Sequence, residues 1–397
     1  MIREVWENKV QKELKTTESK IFIDPIEGIS WEYKNNNPTE HFVDFKRFGS
    51  TRAPWKLASY HVVENAKKSN NEILKDLNFG AEVLMVRWGN SQTDLDVLFE
   101  GVAFEYIQTF VEVDSEEAQK SLKQWIEKRN PSNFKILINP KAHSTESMSS
   151  TLKLDGFDCY SAGANGQSEI SWMLHQFEVL LRQDSTDSVL FEIGIGENTF
   201  MEIAKFKSLQ VLIECLKVKY DKPNFNTLLC AKTGWRNKSL KDVNTNQLRH
   251  TNEALVAILS GVDVLCITPY DFQNMTGSSE FSRRMAMNVS NLLKEEAHLD
   301  LYDQITEGSY IIDYLTQQMC DLVWNKLERL ASLEKPEDQV VEWIQETVTK
   351  RTLGLDNKDT KMIGINCFFS DSNDVPSRKS PISKLGIPYY FYENIAL

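Results

Sequence analysis

"SVLFEIGIGENTFMEIAKFKSLQVLIECLKVKYDKPNFNTLLCAK" runs from Ser188 to Lys232. A short apolar segment gives way to a long helical pattern, a polar break, and a second apolar segment. A strand, a helix and a strand in that order bring the second strand beside the first in parallel. The same cadence recurs along the chain. Strand-like runs are "EVLMVRW" (82–88), "AFEYIQTFVEV" (103–113), "FKILINP" (134–140), "GFDCYSAG" (156–163), "SVLFEIGIG" (188–196), "TLLCAK" (227–232) and "VDVLCIT" (262–268). Helical stretches such as "SEEAQKSLKQWIEKR" and "TNQLRHTNEALVAILSG" lie between them; the latter stops on Gly261, a common helix end. An eighth, weaker strand is expected near "LYDQIT" (301–306), with a helix from Tyr310 to about Leu333. Eight units predict an α/β fold, a closed (β/α)8 TIM-type barrel. An open doubly wound sheet is disfavoured, because "GIGENT" lacks the third glycine of a dinucleotide fingerprint.

Around this core we expect an N-terminal arm (1–55), the barrel (56–335) and a C-terminal extension (336–397). The arm is polar and aromatic-rich, which predicts packing on its own domain or on a partner chain. In the extension, "KPEDQVVEWIQETVTKR" predicts an amphipathic helix and "TKMIGINCFF" (360–369) a strand against the body. No apolar run approaches the roughly 18–20 residues of a membrane span, and the charged N-terminus lacks a signal-peptide core, so a cytoplasmic location is expected. A net charge of -12 with no basic stripe argues against nucleic acid and membrane partners. The six cysteines are scattered without a C-x-x-C pair, and Cys159, Cys215, Cys230 and Cys266 fall in apolar patterns as reduced core residues.

Several residues invite a chemical reading. At the end of "TLLCAK", Lys232, Thr233 and Trp235 stand at the barrel mouth. Lys232 fits a Schiff-base role, or an ion pair with Glu192 or Asp263; Trp235 fits a packing role. "AGANG" (162–166) fits a phosphate cradle or a tight turn before a helix. His175 is expected as a core histidine, Arg249 and Glu253 as an i, i+4 or interface pair, and the arginines of "SRRM" (282–285) as solvated.

The middle of the chain resembles the barrel of methylmalonyl-CoA mutases. The stretches that carry the likeness are "SAGANGQSEISWML" (161–174), "TFMEIAKFKSLQVL" (199–212) and "TGWRNKSLKDVNTNQLRHTNEALVAILSGVD" (233–263), continued by "SEFSRRMAMNVSNLLKEEAHL" (279–299), "EGSYIIDYLT" (307–316) and "MIGIN". The resemblance implies an isomerase that interconverts methylmalonyl-CoA and succinyl-CoA by an adenosylcobalamin radical route. Catalytic members hold cobalamin through D-x-H-x-x-G, which is not found in this sequence.

In catalytic members, the strand before T-(S/A)-G-W carries a histidine and, two residues on, a glutamine; the matching positions are Leu229 and Ala231, which have no donor group. In "PWKLASY" (54–60) the family's tyrosine matches Tyr60, while its arginine position is Ala58; another substrate-facing position falls on Tyr160. These five are expected to be vestigial substrate-face positions. Losing one preorganised donor typically costs about 2.7–4 kcal/mol of barrier. The resemblance therefore implies the non-catalytic small subunit of a heterodimeric mutase of propionate metabolism. Such a chain would bind no cofactor itself, leave adenosylcobalamin to the partner, and dimerise with a larger homologous catalytic subunit, with a homodimer when isolated as a further possibility. The alternative is a catalytic acyl-CoA-binding subunit of a split mutase that borrows cobalamin from a separate protein.

Overall fold

The computed structural model describes residues 21–32, 53–138, 150–183, 188–273, 277–302, 305–368 and 381–392, with positions 5, 9, 12 and 13 in helix. Among the described residues ten strands are defined: β1 (Ile21–Asp24), β2 (Ile29–Glu32), β3 (Lys56–Val62), β4 (Val83–Trp88), β5 (Gln108–Val113), β6 (Phe134–Ile138), β7 (Ser150–Asp155), β8 (Ser188–Ile195), β9 (Asn226–Thr233) and β10 (Val264–Cys266). β3 to β10 follow one another round a closed, all-parallel barrel, with β10 pairing β3 to complete the circle. The helices are α1 (Ala66–Asn78), α2 (Leu95–Leu98), α3 (Glu116–Arg129), α4 (Gly156–Ser161), α5 (Gly166–Gln183), α6 (Thr199–Lys219), α7 (Val243–Leu259), α8 (Glu280–Asn291), α9 (Tyr310–Ala331) and α10 (Pro336–Asp356).

Local chemistry sets where these helices start. Asn65, Ser115, Asn198, Asp242 and Ser279 each accept a backbone N–H from the first turn of the helix they precede, which satisfies donors that would otherwise be orphaned. Gly261 ends α7 at φ +71°, as its place in the sequence predicts.

Three element assignments are corrected. The eighth barrel strand is not 301–306, where Leu299–Leu301 is a 3-10 turn and 305–308 a further turn; it is β3, the first in chain order. The "GFDCYSAG" segment is the short helix α4, because Asp155 accepts the Asp158 N–H and opens a helical turn there. The strand is the preceding "STLKLD". Within "TKMIGINCFF", the described residues 360–368 hold a turn closed by an Ile363–Cys367 bridge rather than a strand, and Phe369 lies outside the described residues. α9 is an additional helix packed outside on α5 and α6. α10 forms as expected.

Residues 21–32 pack on the chain's own barrel. Asn165 and Gln167 donate to the carbonyls of Ile26 and Glu27, Tyr314 donates to the carbonyl of Ser30, and Asn198 to Asp24. Of the cysteines, Cys159, Cys230, Cys266 and Cys320 are buried, whereas Cys215 is exposed on the outer side of α6, against expectation. No helix among the described residues is long and apolar enough to cross a membrane.

Candidate functional site

Strand side chains alternate, so one parity of each barrel strand fills the interior and the other faces the helices. The interior of the lower barrel is hydrocarbon and sulfur: Ala58, Val83, Met85, Phe110, Leu137, Leu190, Cys230, Val264 and Cys266 form one buried cluster. Towards the C-terminal strand ends the same inward parity turns ionic. Lys153 Nζ lies 2.8 Å from Glu192, 2.9 Å from Glu112 and 3.4 Å from Asp155. Three carboxylates thus surround one ammonium with little access to water. Burial pulls Lys153 downward, but Asp155, Glu112 and Glu192 outweigh it and hold it well above the ordinary lysine range. Burial likewise pushes Glu112 up, yet Lys153 and Lys384 outweigh it and set it at about 2.

Lys232 belongs to this layer. It lies 3.7 Å from Glu192, and its Nζ stands 3.7 Å from the Tyr60 ring, 4.5 Å from Phe157 and 5.2 Å from Trp235. Burial works against its charge, but Tyr60 and Glu192 leave its pKa raised. A Schiff-base lysine needs the opposite shift, towards a neutral amine at working pH. Of its two suggested partners Glu192 is the one used; Asp263 instead accepts the Leu229 N–H at 2.7 Å. Thr233 and Trp235 brace the mouth. The Thr233 hydroxyl accepts the Thr268 N–H, and the Trp235 indole donates to the Thr268 hydroxyl while packing on Phe157 and Phe272.

Tyr160 fills the mouth at the ends of β8 and β9. Its hydroxyl donates to the Ile195 carbonyl at 3.0 Å, and the Arg236 guanidinium covers its ring at 3.7 Å. Gly194 and Gly234 make the room: a Cβ at Gly194 would fall 2.3 Å from the ring, and one at Gly234 2.1 Å from the hydroxyl oxygen.

Leu229 and Ala231 do not lie where the resemblance puts them. Both belong to the outer core between sheet and helices, with Phe191, Ile193 and Leu265, while Cys230 and Lys232 take the interior. Strand parity is the reason: β8 pairs β9 with Glu192 opposite Cys230 and Gly194 opposite Lys232. Of the five positions expected from the resemblance to be vestigial, Ala58, Tyr60 and Tyr160 line or fill the barrel and the other two face away.

Other side chains also settle differently. Glu253 does not pair with Arg249; it holds Lys238 at 2.5 Å and Asn237 at 2.9 Å, all three buried. Burial pushes Glu253 up to about 7 and Lys238 down to about 8. Arg249 instead donates to Asn246 and to the Ile363 carbonyl. Arg283 of "SRRM" is buried against Glu72 and Asp76 rather than solvated. His175 is half-buried and stacked on Trp172, not a core residue. "AGANG" is a turn that opens α5, and the anion at that helix start is the chain's own Glu27, which accepts the Gly166 and Gln167 N–H groups.

The ionic layer of Arg87, Glu112, Lys153 and Asp155 is absent from the sequence reading. Its signal was the alternation in "STLKLD", which sets Lys153 and Asp155 on one face of a strand. Among the described residues His61 faces Asp76 outside the barrel, His175 stacks on Trp172, His250 is buried on α7 and His298 precedes a 3-10 turn.

Fold and site define a TIM-type (β/α)8 barrel whose reaction end is filled from within. A model of the methylmalonyl-CoA mutase family matches residues 100–385, well over half of the chain. The chain belongs to that family. It is 34% identical over 146 residues to the methylmalonyl-CoA mutase small subunit of Porphyromonas gingivalis, covering 36% of this chain and 24% of that protein. It is 24% identical over 236 residues to the methylmalonyl-CoA mutase of Rhizobium meliloti, covering 55% and 33%. A probable methylmalonyl-CoA mutase small subunit of Mycobacterium tuberculosis is 23% identical over 232 residues, covering 54% and 38%. The chain thus aligns with roughly a quarter to two-fifths of the length of these relatives. Among solved structures, a Thermus thermophilus dihydropteroate synthase aligns over 61% of this chain and 95% of its own with 9% identity and a TM-score of 0.33, too low to carry a functional argument.

Proposed function

We propose that this chain is the non-catalytic small subunit of a heterodimeric, adenosylcobalamin-dependent methylmalonyl-CoA mutase, and that it supports a larger catalytic subunit by dimerisation. The observation that carries the reading is a barrel mouth filled by its own side chains. Tyr160 occupies the space that Gly194 and Gly234 leave, and Lys153 and Lys232 are committed to Glu112, Asp155 and Glu192. A thioester carbonyl needs free, preorganised donors, and a buried lysine already shared among carboxylates has little left to offer one. The names of the relatives support the subunit role. Cobalamin is expected on the partner.

The test is direct. Purified alone, the chain should neither isomerise methylmalonyl-CoA nor retain cobalamin, and it should co-purify with a larger homologous chain. Calorimetric titration with acyl-CoA separates the split-mutase alternative: micromolar binding by the isolated chain would replace our reading with that one.

A further inference from the structure

The segment 381–392, "PISKLGIPYYFY", lies across the open end of the barrel and reaches into the ionic layer. It is a shaped loop: Ser383 N–H donates to the Ile387 carbonyl, Tyr389 N–H to the Pro381 carbonyl, and Gly386 turns it at φ +77°. Lys384 Nζ meets Asp155 at 2.8 Å and Glu112 at 3.5 Å. Asp158 accepts twice, from Lys384 N–H at 2.7 Å and from the Tyr389 hydroxyl at 2.8 Å. Further along, Tyr390 N–H donates to the Ser161 carbonyl and Tyr392 N–H to that of Arg236. Tyr389 also packs edge-on against Trp235.

From these contacts we infer that residues 381–389 are a detachable cap that closes the C-terminal mouth of the barrel in cis, latched by Lys384 on Asp155 and Glu112 and by Asp158, and anchored by the buried Tyr390 to Tyr392. Detachment follows from the balance of forces. The cap's grip is largely polar, and docking strips water from Lys153, Asp155, Glu112 and Lys232. Those groups regain hydration when the cap leaves, so opening it costs far less than opening the barrel beneath. Up to Tyr389 its apolar contribution is small: Leu385 and Ile387 rest half-buried on a cluster that includes Cys159, and Ile382 stays 70% exposed, whereas Tyr390, Phe391 and Tyr392 are buried and anchor the end of the segment beside Leu355, Met362 and Ile365. Release would expose Asp155, Glu112 and Asp158 to water. This goes beyond the subunit assignment and does not rest on it, since the cap can be followed with no coenzyme and no partner.

Hydrogen exchange and thiol labelling of the full chain, read by mass spectrometry, test it. In Lys384→Glu the new carboxylate faces Asp155 and Glu112. The Lys384 and Tyr389 amides should exchange faster while those of the anchoring Tyr390 and Tyr392 stay protected, and Cys159 should label at least about tenfold faster. Cys320, buried on α9 against Ser208 of α6, should be unchanged, and Lys384→Arg should keep wild-type protection. Wild-type rates in Lys384→Glu, or Cys159 and Cys320 rising together, would overturn the cap. Should Lys384→Glu not fold, the wild-type chain decides. In about 1 M salt, which screens the latch, the cap amides should exchange severalfold faster than those of β8. Equal protection of the two would overturn it.

Discussion

The lower and upper halves of the barrel interior are built from the same strands, yet they obey opposite rules. Below, Phe110, Leu137, Leu190 and Met85 close a core by burying hydrocarbon, and each contact is forgiving of small shifts. Above, two residues further along some of the same strands, Glu112 and Glu192 replace that packing with charge. Such a layer holds only while every charge has its partner, because a buried ion pair gains little over hydrocarbon but is costly to leave half-made. The difference teaches that a barrel can lose an open mouth without gaining an apolar one. The mouth is filled with one aromatic ring and a set of interlocked charges.

The largest effect expected from that contrast is at Lys153. Lys153→Met leaves Glu112, Asp155 and Glu192 facing one another around an uncharged stem, and should destabilise the fold by about 3–5 kcal/mol. An exposed pair such as Lys75 with Glu280 offers the control: Lys75→Met should cost at most about 1 kcal/mol. Urea unfolding of the two variants checks both. A loss at Lys153 no larger than at Lys75 would mean that the upper layer is wet and the contrast between the halves false.

A smaller effect is expected where ring meets glycine. Gly234→Ala drives a methyl into the Tyr160 hydroxyl and should cost about 1–3 kcal/mol through overpacking. If Tyr160 is what demands the glycine, the same substitution in a Tyr160→Ala background should cost clearly less. A double-mutant cycle by chemical denaturation measures the difference, and strict additivity would show that the slot is shaped by something else.

The barrel itself was legible because the helix and strand periods repeat with short turns, and "SVLFEIGIG" and "TLLCAK" each became a strand. The bulk of Tyr160 and the pairing of Lys232 with Glu192 were legible too, since volume and charge are properties of single residues. What was hidden depends on register. Leu229 and Ala231 sit at the right distance from Thr-Gly-Trp, but which parity faces inward is set by how eight strands stagger around a closed sheet. "GFDCYSAG" is as apolar as a strand, and only the Asp155 cap bends it into a helix. The cap reads as loop because Pro, Ser and Lys predict loop; Asp158, which accepts its two latch hydrogen bonds, is more than 220 residues away in sequence.

The smallest effect is a slope in pH, and it has two signs. Glu112, held at about 2 against an ordinary 4.5, contributes stability that is present above about pH 4.5 and lost as pH falls towards 2. Asp158 runs the other way. Burial, and then the neighbouring Asp155, raise it from 3.8 to about 6, so its contribution is full below about pH 3.8 and is lost as pH rises through 6. The groups that face it are Asp155 beneath and Lys384 and Tyr389 of the cap. Unfolding midpoints should therefore decline gently between about pH 4 and 6. Asp158→Asn, which keeps an acceptor for one cap donor but carries no proton to lose, should flatten that decline while leaving the acid limb of Glu112 in place. A variant that flattens both limbs, or neither, would mean that the latch and the carboxylate cage titrate as one unit, with no boundary between the cap and the layer it covers.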